Sequence, residues 1–397
     1  RGCRVSHTIE RLGHLGDGIA AGPVFVPLTL PGEIIDGDII AGRIAVAKIM
    51  TPSTDRVRPP CSHFKTCGGC NLQHASDTFV ETWKADVVRA GLRAHGLDAP
   101  ITKISTSPAK SRRRATLSGR RTKKGATIGF HARSSDTVID IVNCQLLTPD
   151  LIGSLPLLRD ITVLASSRKG EVSFQVTQSS VGIDLAVSGA KALDDRLRLH
   201  LPALVEKHGA ARLTWDGELV AQREPPRQNF GPARVLPPPH AFLQATEHGQ
   251  AALVGAVTRA VGSAQHIVDL FAGCGTFALP LSANAEVHAV EDDDEMLVAL
   301  DGGWRNATGL KKVTTEARDL FRRPLMPDEL KRFGAAVIDP PRAGGEAQIK
   351  ELAKSNVPVI AAVSCNPVTF GRDAKILCDS GYSIDWIEVV DQFRWSP

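Results

Sequence analysis

An alternation of strand-like and helix-like segments from about residue 240 is the feature that most limits what this chain can fold into. The apolar runs are HIVDLF, EVHAVE, AAVIDPP and VPVIAAVSC, and between and after them lie segments with helical periodicity such as EAQIKELAKS and TFGRDAKILCDSG. Strands connected through helices pair in parallel, and the helices cover the two faces of the sheet. We therefore predict a doubly wound α/β domain over residues 236–397.

The first 235 residues follow a different pattern, so the 397 residues are expected to form two or three domains. Short runs with alternating Val and Ile between Gly- and Pro-containing turns predict a small β-barrel over residues 1–58. Residues 59–235 are predicted mainly as strands, after a helix that begins at Ser76 or Asp77, and form a β-rich central domain. The Pro-rich segment RQNFGPARVLPPPHAF is predicted to be a connection.

The composition, 43% hydrophobic and 23% charged, is that of a globular protein. No apolar run approaches the roughly 20 residues that span a bilayer, and no signal-peptide pattern opens the chain. We therefore expect a cytoplasmic protein without a membrane segment. Because the sequence begins at Arg1 and not at Met, we also expect its N-terminus to be trimmed.

Basic residues are unevenly distributed, although the net charge is only +4. From Ala99 to Ser135 there are ten Lys and Arg residues and no Asp or Glu. A stripe of this kind, which includes Arg112, Arg113 and Arg114, suits a phosphate backbone. A solvated basic hairpin is the alternative interpretation.

Three strand ends in the α/β domain carry residues suited to a nucleoside ligand. VDLFAGCGTF places Gly273 and Gly275 in the turn before a helix, where glycine permits a close approach to a ligand and the helix offers free N–H groups. The next strand ends in Glu291, which can accept both ribose hydroxyls of an adenosine. Asp339 ends a third strand, in VIDPPRAG, where a helix cap followed by a turn is the structural alternative.

The eight cysteines do not resemble a disulfide framework. Cys61, Cys67 and Cys70 are crowded together, which in a cytosolic protein favours a metal site over disulfides. The other cysteines, which include Cys3, Cys274 and Cys378, are scattered along the sequence. Cys365 follows the apolar run VPVIAAV, where it is either a small core residue or a nucleophile.

In combination, DLFAGCGTF, IDPPRAG, VSCNPVTFGRD and the upstream FLQAT resemble the S-adenosylmethionine-dependent RNA uracil-C5 methyltransferases. CSHFKTCGGCNLQH is similar to the iron–sulfur loop of that family, and residues 5–50 resemble its OB-like TRAM RNA-binding module. The resemblance implies a Rossmann-like class I methyltransferase domain and an RNA substrate. The TRAM-like module and the iron–sulfur loop together favour the 23S ribosomal RNA branch of this family, because its tRNA branch lacks both.

Within this resemblance, Cys365 is the expected nucleophile, which adds to C6 of uracil so that C5 can accept a methyl group. Arg342 and Arg372 are candidates for charge support near the thiolate or a phosphate. Thr246 and Thr276 stand where the family commonly has Asn. The expected contacts to S-adenosylmethionine are Gln244, Phe271, Thr276, Glu291, Asp319 and Asp339.

The resemblance also implies a [4Fe–4S] cluster, with Zn²⁺ as the alternative metal. Its expected ligands are Cys61, Cys67, Cys70 and Cys144. Four thiolates leave no open coordination position, so a structural or RNA-positioning role is expected. The spacing is not CxxxCxxC, so radical chemistry is not expected.

The family's general base is a glutamate just after a segment matching VVDQFRWSP, and the 397 residues stop before it. We therefore expect a truncated domain in these residues, which forms the methylated adduct without turning over. Asp391 and Glu388 are not candidates for this base.

A tRNA or broad-specificity uracil methyltransferase, and a non-catalytic protein that binds S-adenosylmethionine and RNA, remain alternatives. A cytosine-5 DNA methyltransferase is a further alternative. No stable protein partner is implied, and a monomer is expected.

Overall fold

The computed structural model describes residues 6–397, and it begins with an antiparallel sheet in the order β3-β2-β1-β4-β5. Its strands are β1 (Ser6–Leu12), β2 (Gly18–Ala20), β3 (Val24–Val26), β4 (Ile34–Asp36) and β5 (Lys48–Thr51). Ile9, Val26 and Ile35 fill its core. The backbone of Phe25 also pairs with residues 42–44, so the sheet curls back on itself. That this sheet is a TRAM module stays a prediction, and Cys3 lies outside the described residues.

Helix α1 (Asp77–Arg93) begins where the sequence predicts. The Ser76 side chain accepts a hydrogen bond from the Phe79 N–H, 3.2 Å away, which satisfies one of the free donors of the first turn. Val80, Ala85 and Leu92 form its buried side.

The central region contains a seven-stranded sheet in the order β13-β12-β11-β10-β7-β8-β9. Its strands are β7 (Arg114–Arg121), β8 (Ala126–His131), β9 (Val138–Asp140), β10 (Glu171–Ser179), β11 (Gly182–Ser188), β12 (Arg212–Trp215) and β13 (Glu218–Gln222). The sequence prediction missed the helices α2 (Pro149–Gly153), α3 (Leu155–Ala165) and α4 (Asp195–His208). Leu158 and Leu201 from these helices meet Phe174 of the sheet in one buried core.

Strand β6 (Ile101–Thr106) was grouped with the central strands in the sequence prediction, but its partner lies elsewhere. It pairs in parallel with β21 (Ile387–Asp391), near the other end of the chain. The Pro-rich connection forms a small hairpin of β14 (Gln228–Phe230) and β15 (Ala233–Val235). The boundaries at residues 58/59 and 235/236 stay predictions.

The α/β region has a five-stranded, fully parallel sheet in the order β18-β17-β16-β19-β20. The strands are β16 (His266–Leu270), β17 (Glu286–Glu291), β18 (Val313–Ala317), β19 (Ala335–Ile338) and β20 (Ile360–Ala362). The helices are α5 (Glu247–Val261), α6 (Ala278–Leu281), α7 (Asp294–Arg305), α8 (Pro327–Leu330), α9 (Glu346–Ala353) and α10 (Pro367–Asp379). Two hydrophobic clusters pack on the two faces of this sheet. Ile267 belongs to one cluster and Val268, the next residue of β16, belongs to the other. The direction of the strand order reverses between β16 and β19, which is where open α/β sheets bind ligands.

Residues 391–397, which we call the C-terminal segment, connect this region to residues 61–74. We call residues 61–74 the cysteine loop, because they contain Cys61, Cys67 and Cys70. The carbonyl oxygen of Trp395 accepts hydrogen bonds from the N–H groups of Asn71 (2.8 Å) and Leu72 (3.0 Å). The indole is 5% exposed and packs in a cluster with Phe64 and Cys70. The cysteine loop therefore depends on residues more than 300 positions away in the sequence.

Across residues 6–397, no helix combines the length and the apolar character that a membrane crossing requires.

Replacing Trp395 should test this connection. Trp395→Ala removes a buried indole and leaves a cavity, so we expect the free energy of unfolding to fall by about 3–5 kcal/mol in chemical denaturation. Leu199→Ala is the control, because Leu199 is 75% exposed and its truncation should change stability by less than about 0.5 kcal/mol. Similar losses in the two variants would show that the Trp395 contact is not structurally important.

Candidate functional site

The carboxyl ends of the parallel strands lie level at one edge of the sheet. Leu270 pairs with Val290 on one side and with Ile338 on the other. The Asp339 N–H donates to the Leu270 carbonyl (3.2 Å), so the pairing continues just past the strands. The glycine loop and the residues after β17, β19 and β20 are thereby brought to one edge.

The glycine loop has the backbone conformation that its residues suggest. Gly273 and Gly275 have φ values of 54° and 92°, which disfavour residues with side chains. A Cβ atom on Gly275 would lie 2.9 Å from atoms of Leu279 and Leu300, so glycine is also required for packing. Thr276 follows, partly buried, before α6.

Glu291 closes this loop onto β17. One of its carboxylate oxygens accepts from the Gly273 N–H (2.9 Å), and the other accepts from the Asp292 N–H (2.9 Å). A carboxylate has about four acceptor positions, so Glu291 retains capacity for a hydroxyl donor. Phe271 precedes the loop with φ of 62° and stacks at a tilt on Phe321, with 5.4 Å between ring centroids.

Two buried carboxyl groups lie behind the loop. Burial raises the pKa of Asp269 well above its ordinary value, and the negative charges of Asp339 and Glu291 raise it further. The nearby Ala278 N–H opposes this rise, although neither carboxylate oxygen of Asp269 has a hydrogen-bond partner among the described residues. Burial likewise raises the pKa of Asp339 to about 7. Together they form an acidic environment that a cationic ligand would compensate. The sequence prediction did not include Asp269, although its position at the end of β16 was the available signal.

Gln244 contacts this acidic environment from a segment outside the sheet. It is 5% exposed, and its Nε2 lies 3.5 Å from Oδ2 of Asp339. The backbone of its segment is held by two arginines, since Arg113 Nε donates to the Gln244 carbonyl (3.2 Å) and Arg114 Nη1 to the Leu243 carbonyl (2.6 Å).

The basic stripe is therefore not a uniform phosphate-facing surface. Arg112, Arg113 and Arg114 are engaged in internal contacts, and Arg113 is 4% exposed. Arg120 pairs with Glu171 at 2.8 Å. Arg112, Arg113 and Arg114 therefore do not form a free phosphate-binding surface, because their guanidinium groups satisfy backbone carbonyls and side chains of the fold. For the exposed Arg120 the interpretation stays a prediction.

Cys365 is exposed, directly before the Asn366 cap of α10. The thiol itself is partly shielded from water, and this desolvation and the negative charge of Asp339 raise its pKa, while Arg342 opposes the rise. Asn366 Nδ2 donates to the Arg342 carbonyl (3.0 Å), and this hydrogen bond connects the loops after β19 and β20. Cys365 is thus not a core residue, and it lies in the loop after β20, next to the loop after β19 that carries Asp339.

Two other predicted residues make different contacts. Arg372 does not support the thiolate, because its guanidinium group pairs with Asp373 (2.7 Å) and Glu346 (3.3 Å). It also donates to the Ala343 carbonyl (3.1 Å), so it stabilises the loop after β19. Asp319 follows β18, and its Oδ1 accepts from the Phe321 N–H (2.9 Å) within its own turn.

The four candidate ligand cysteines line one small cavity. All four are free thiols, namely Cys61, Cys67, Cys70 and Cys144. The Gly69 N–H donates to Cys67 Sγ and the Leu146 N–H to Cys144 Sγ, both at 3.4 Å. Within the described part of the chain, no three His, Cys, Asp or Glu side chains are arranged to hold a metal ion.

Comparisons with known proteins give consistent results. No family model matches the sequence. An uncharacterized RNA methyltransferase of Brucella suis is 42% identical over 392 residues, covering 98% of this chain and 94% of that protein. The 23S rRNA (uracil(1939)-C(5))-methyltransferase RlmD of Halomonas elongata is 31% identical over 432 residues, covering 97% and 86%.

Among solved structures, the Pyrococcus abyssi tRNA (uracil-54, C5)-methyltransferase in complex with S-adenosyl-L-homocysteine matches with a TM-score of 0.77. The match covers 98% of this chain and 97% of that one, at 22% sequence identity. This likeness concerns the fold, and it confirms the expected class I methyltransferase α/β architecture.

The raised pKa of Asp339 predicts a pH-dependent stability. Its pKa is about 7 in the folded protein, against the ordinary 3.8. The folded state therefore keeps a proton that the unfolded chain releases above about pH 4, and the resulting stabilisation is lost as the pH rises through about 7. Between pH 4 and 8 the wild type should lose about 4 kcal/mol of unfolding free energy relative to Asp339→Asn. Parallel stability curves for the two proteins would contradict this.

Proposed function

The chain belongs to the RNA methyltransferases, and we propose that it methylates C5 of a uridine in RNA through a covalent bond between Cys365 and C6 of the base. One observation carries the proposal: the exposed thiol of Cys365 follows β20 at the same sheet edge where Asp339 follows β19, because Ala362 at the end of β20 pairs with Ile338. A protein that only bound RNA and a nucleoside would have no use for a thiol there. The Halomonas elongata relative and the Pyrococcus abyssi structure both carry uracil-C5 methyltransferase names, which supports the same chemistry.

Cys365 has two tasks in this reaction. Its thiolate adds to C6 of uracil, forming a C–S bond and an enolate whose C5 takes the methyl group. After C5 loses its proton, the C6–S bond breaks, the 5,6 double bond re-forms and the thiolate leaves. Arg342 favours the thiolate electrostatically, as its effect on the Cys365 pKa indicates.

S-adenosylmethionine would supply the methyl group as an electrophilic sulfonium and leave as S-adenosylhomocysteine. Glu291 would accept from the ribose hydroxyls, and the Gly273 turn would allow the backbone to approach the ligand. Asp339 and Gln244 would orient the cationic methionine portion, in keeping with the acidic character of this edge. The remaining proposed contacts are Phe271, Thr276 and Asp319, and Asp319 is the weakest because its carboxylate caps its own turn.

The C5 proton needs a base, and we assign none of the described residues to this step. Glu388 pairs with Arg259, and Asp391 pairs with Lys84 at 2.6 Å. Both carboxylates are therefore engaged in ion pairs within the fold, as expected for structural residues of β21.

The RNA that we favour is 23S ribosomal RNA, and the protein acts as a cytoplasmic monomer. The relative that is 31% identical carries that substrate in its name. A transfer RNA is the second candidate, because the name of the Pyrococcus abyssi protein specifies tRNA. A target base inside a folded RNA would have to be flipped out to reach Cys365.

Trapping the adduct tests the chemistry. RNA with 5-fluorouridine at the target cannot release the C5 substituent as a proton, so a complex stable to denaturing electrophoresis should form with S-adenosylmethionine. Cys365→Ala should abolish this complex, because the C–S bond cannot form. Cys378→Ala is the matched control, since Cys378 is a partly buried thiol in the last turn of α10, the helix that begins just after Cys365. A trapped complex with Cys365→Ala would refute the mechanism, and parallel reactions with 23S fragments and tRNA identify the substrate.

We also propose that the cysteine cavity holds a [4Fe–4S] cluster. The irons and sulfides of a cluster occupy a volume, so its four cysteines surround a space, whereas a single Zn²⁺ needs donors that converge on one point. Cys61, Cys67, Cys70 and Cys144 line one cavity without three of them converging on a point, which favours the former requirement. Backbone N–H donors to Cys67 and Cys144 would stabilise thiolates that carry the cluster's negative charge.

Anaerobic reconstitution with ferrous iron and sulfide tests this site. We expect about four irons per chain and a broad visible absorption, both strongly reduced by Cys67→Ser. Cys378→Ser is the control outside the cavity and should retain full iron content. One Zn²⁺ per chain in the purified protein, with no iron uptake, would instead establish the zinc alternative.

A further inference from the structure

Gln392 has no part in the reaction described above, yet it contacts the residue that approaches Asp339. Its Nε2 donates to Oε1 of Gln244 at 2.7 Å, and it is 9% exposed. An amide has one acceptor end and one donor end. Because Gln392 occupies the acceptor end of Gln244, the donor end is directed at Asp339 Oδ2, 3.5 Å away.

We propose that Gln392 is a positioning residue, which fixes the amide orientation of Gln244 and thereby sets the affinity for S-adenosylmethionine. This inference rests on the proposed function, in which Gln244 and Asp339 contact that ligand. Without Gln392, the Gln244 amide could rotate and present its oxygen to the Asp339 carboxyl group.

The neighbours of Gln392 hold it in place. The Asp391 carbonyl accepts from the Ser107 N–H (2.8 Å), and its carboxylate pairs with Lys84 of α1 (2.6 Å). On the other side, Arg394 pairs with Asp77 at the start of α1 (2.5 Å). The backbone on both sides of Gln392 is therefore anchored, and its side chain can act as a fixed donor.

Gly249 in the first turn of α5 provides the space that Gln392 occupies. A Cβ atom at this position would overlap Gln392 Cγ and lie 2.7 Å from its Cδ and 2.9 Å from its Oε1. Glycine is a poor helix former, so this position gives up helix stability. Because all three contacts are with the Gln392 side chain, an alanine at residue 249 would displace that side chain from Gln244.

Calorimetric binding of S-adenosylhomocysteine tests the inference without RNA or turnover. Gln392→Met should raise the dissociation constant roughly 5- to 50-fold, because a buried amide loses its donor. Gly249→Ala should weaken binding similarly, because the added Cβ displaces the Gln392 side chain. Gly255→Ala is the matched control in the same helix, since its Cβ would meet only Arg259 Nη1 at 3.5 Å, and its affinity should equal that of the wild type.

A double-mutant comparison separates positioning from a general structural effect. In a Gln244→Met background, adding Gln392→Met should change the dissociation constant less than about twofold, because its effect passes through Gln244. A full additional loss would overturn the inference. So would wild-type affinity in both Gln392→Met and Gly249→Ala. If the wild type itself does not bind S-adenosylhomocysteine, the proposed function fails, and the inference fails with it.

Discussion

The level register of the parallel strands is the constraint on which the site depends. Leu270 is paired on both sides, with Val290 and with Ile338, and this alignment sets the relative depth of Glu291 and Asp339. Shifting a strand by one residue would turn its side chains to the opposite face of the sheet. Burying the carboxyl groups of Asp269 and Asp339 costs folding free energy. The strand register places both groups at the same edge of the sheet, where a bound cation can offset that cost.

The α/β half of the fold could be predicted because its signals are local. Helical periodicity and apolar strands alternate over short distances, and the Ser76 cap needs only its own turn. Helix α3 was missed because the Leu155–Ala165 stretch is apolar and lies among strong strand signals. The pairing of β6 with β21 has no local signal at all, since Thr102 and the Ile387 carbonyl that it contacts are 285 residues apart.

The site shows the same division between local and distant information. The positions of Glu291, Asp339 and Cys365 followed from strand ends, which the sequence marks with glycine, proline and polar residues. The contacts of Arg372 and Arg113 could not be predicted, because a long charged side chain can reach several partners and tertiary packing chooses among them. Gln392 was missed for a related reason: its partner Gln244 is 148 residues away in the sequence.

The pairing of β6 with β21 also constrains how the chain acquires its structure. Strand β6 leaves the ribosome early, but its partner is synthesised hundreds of residues later, so β6 must wait with an unpaired edge while the central core assembles. Contacts this distant in sequence form slowly. Since β21 leads directly into Gln392, the surroundings of Gln244 are complete only once β21 has paired with β6.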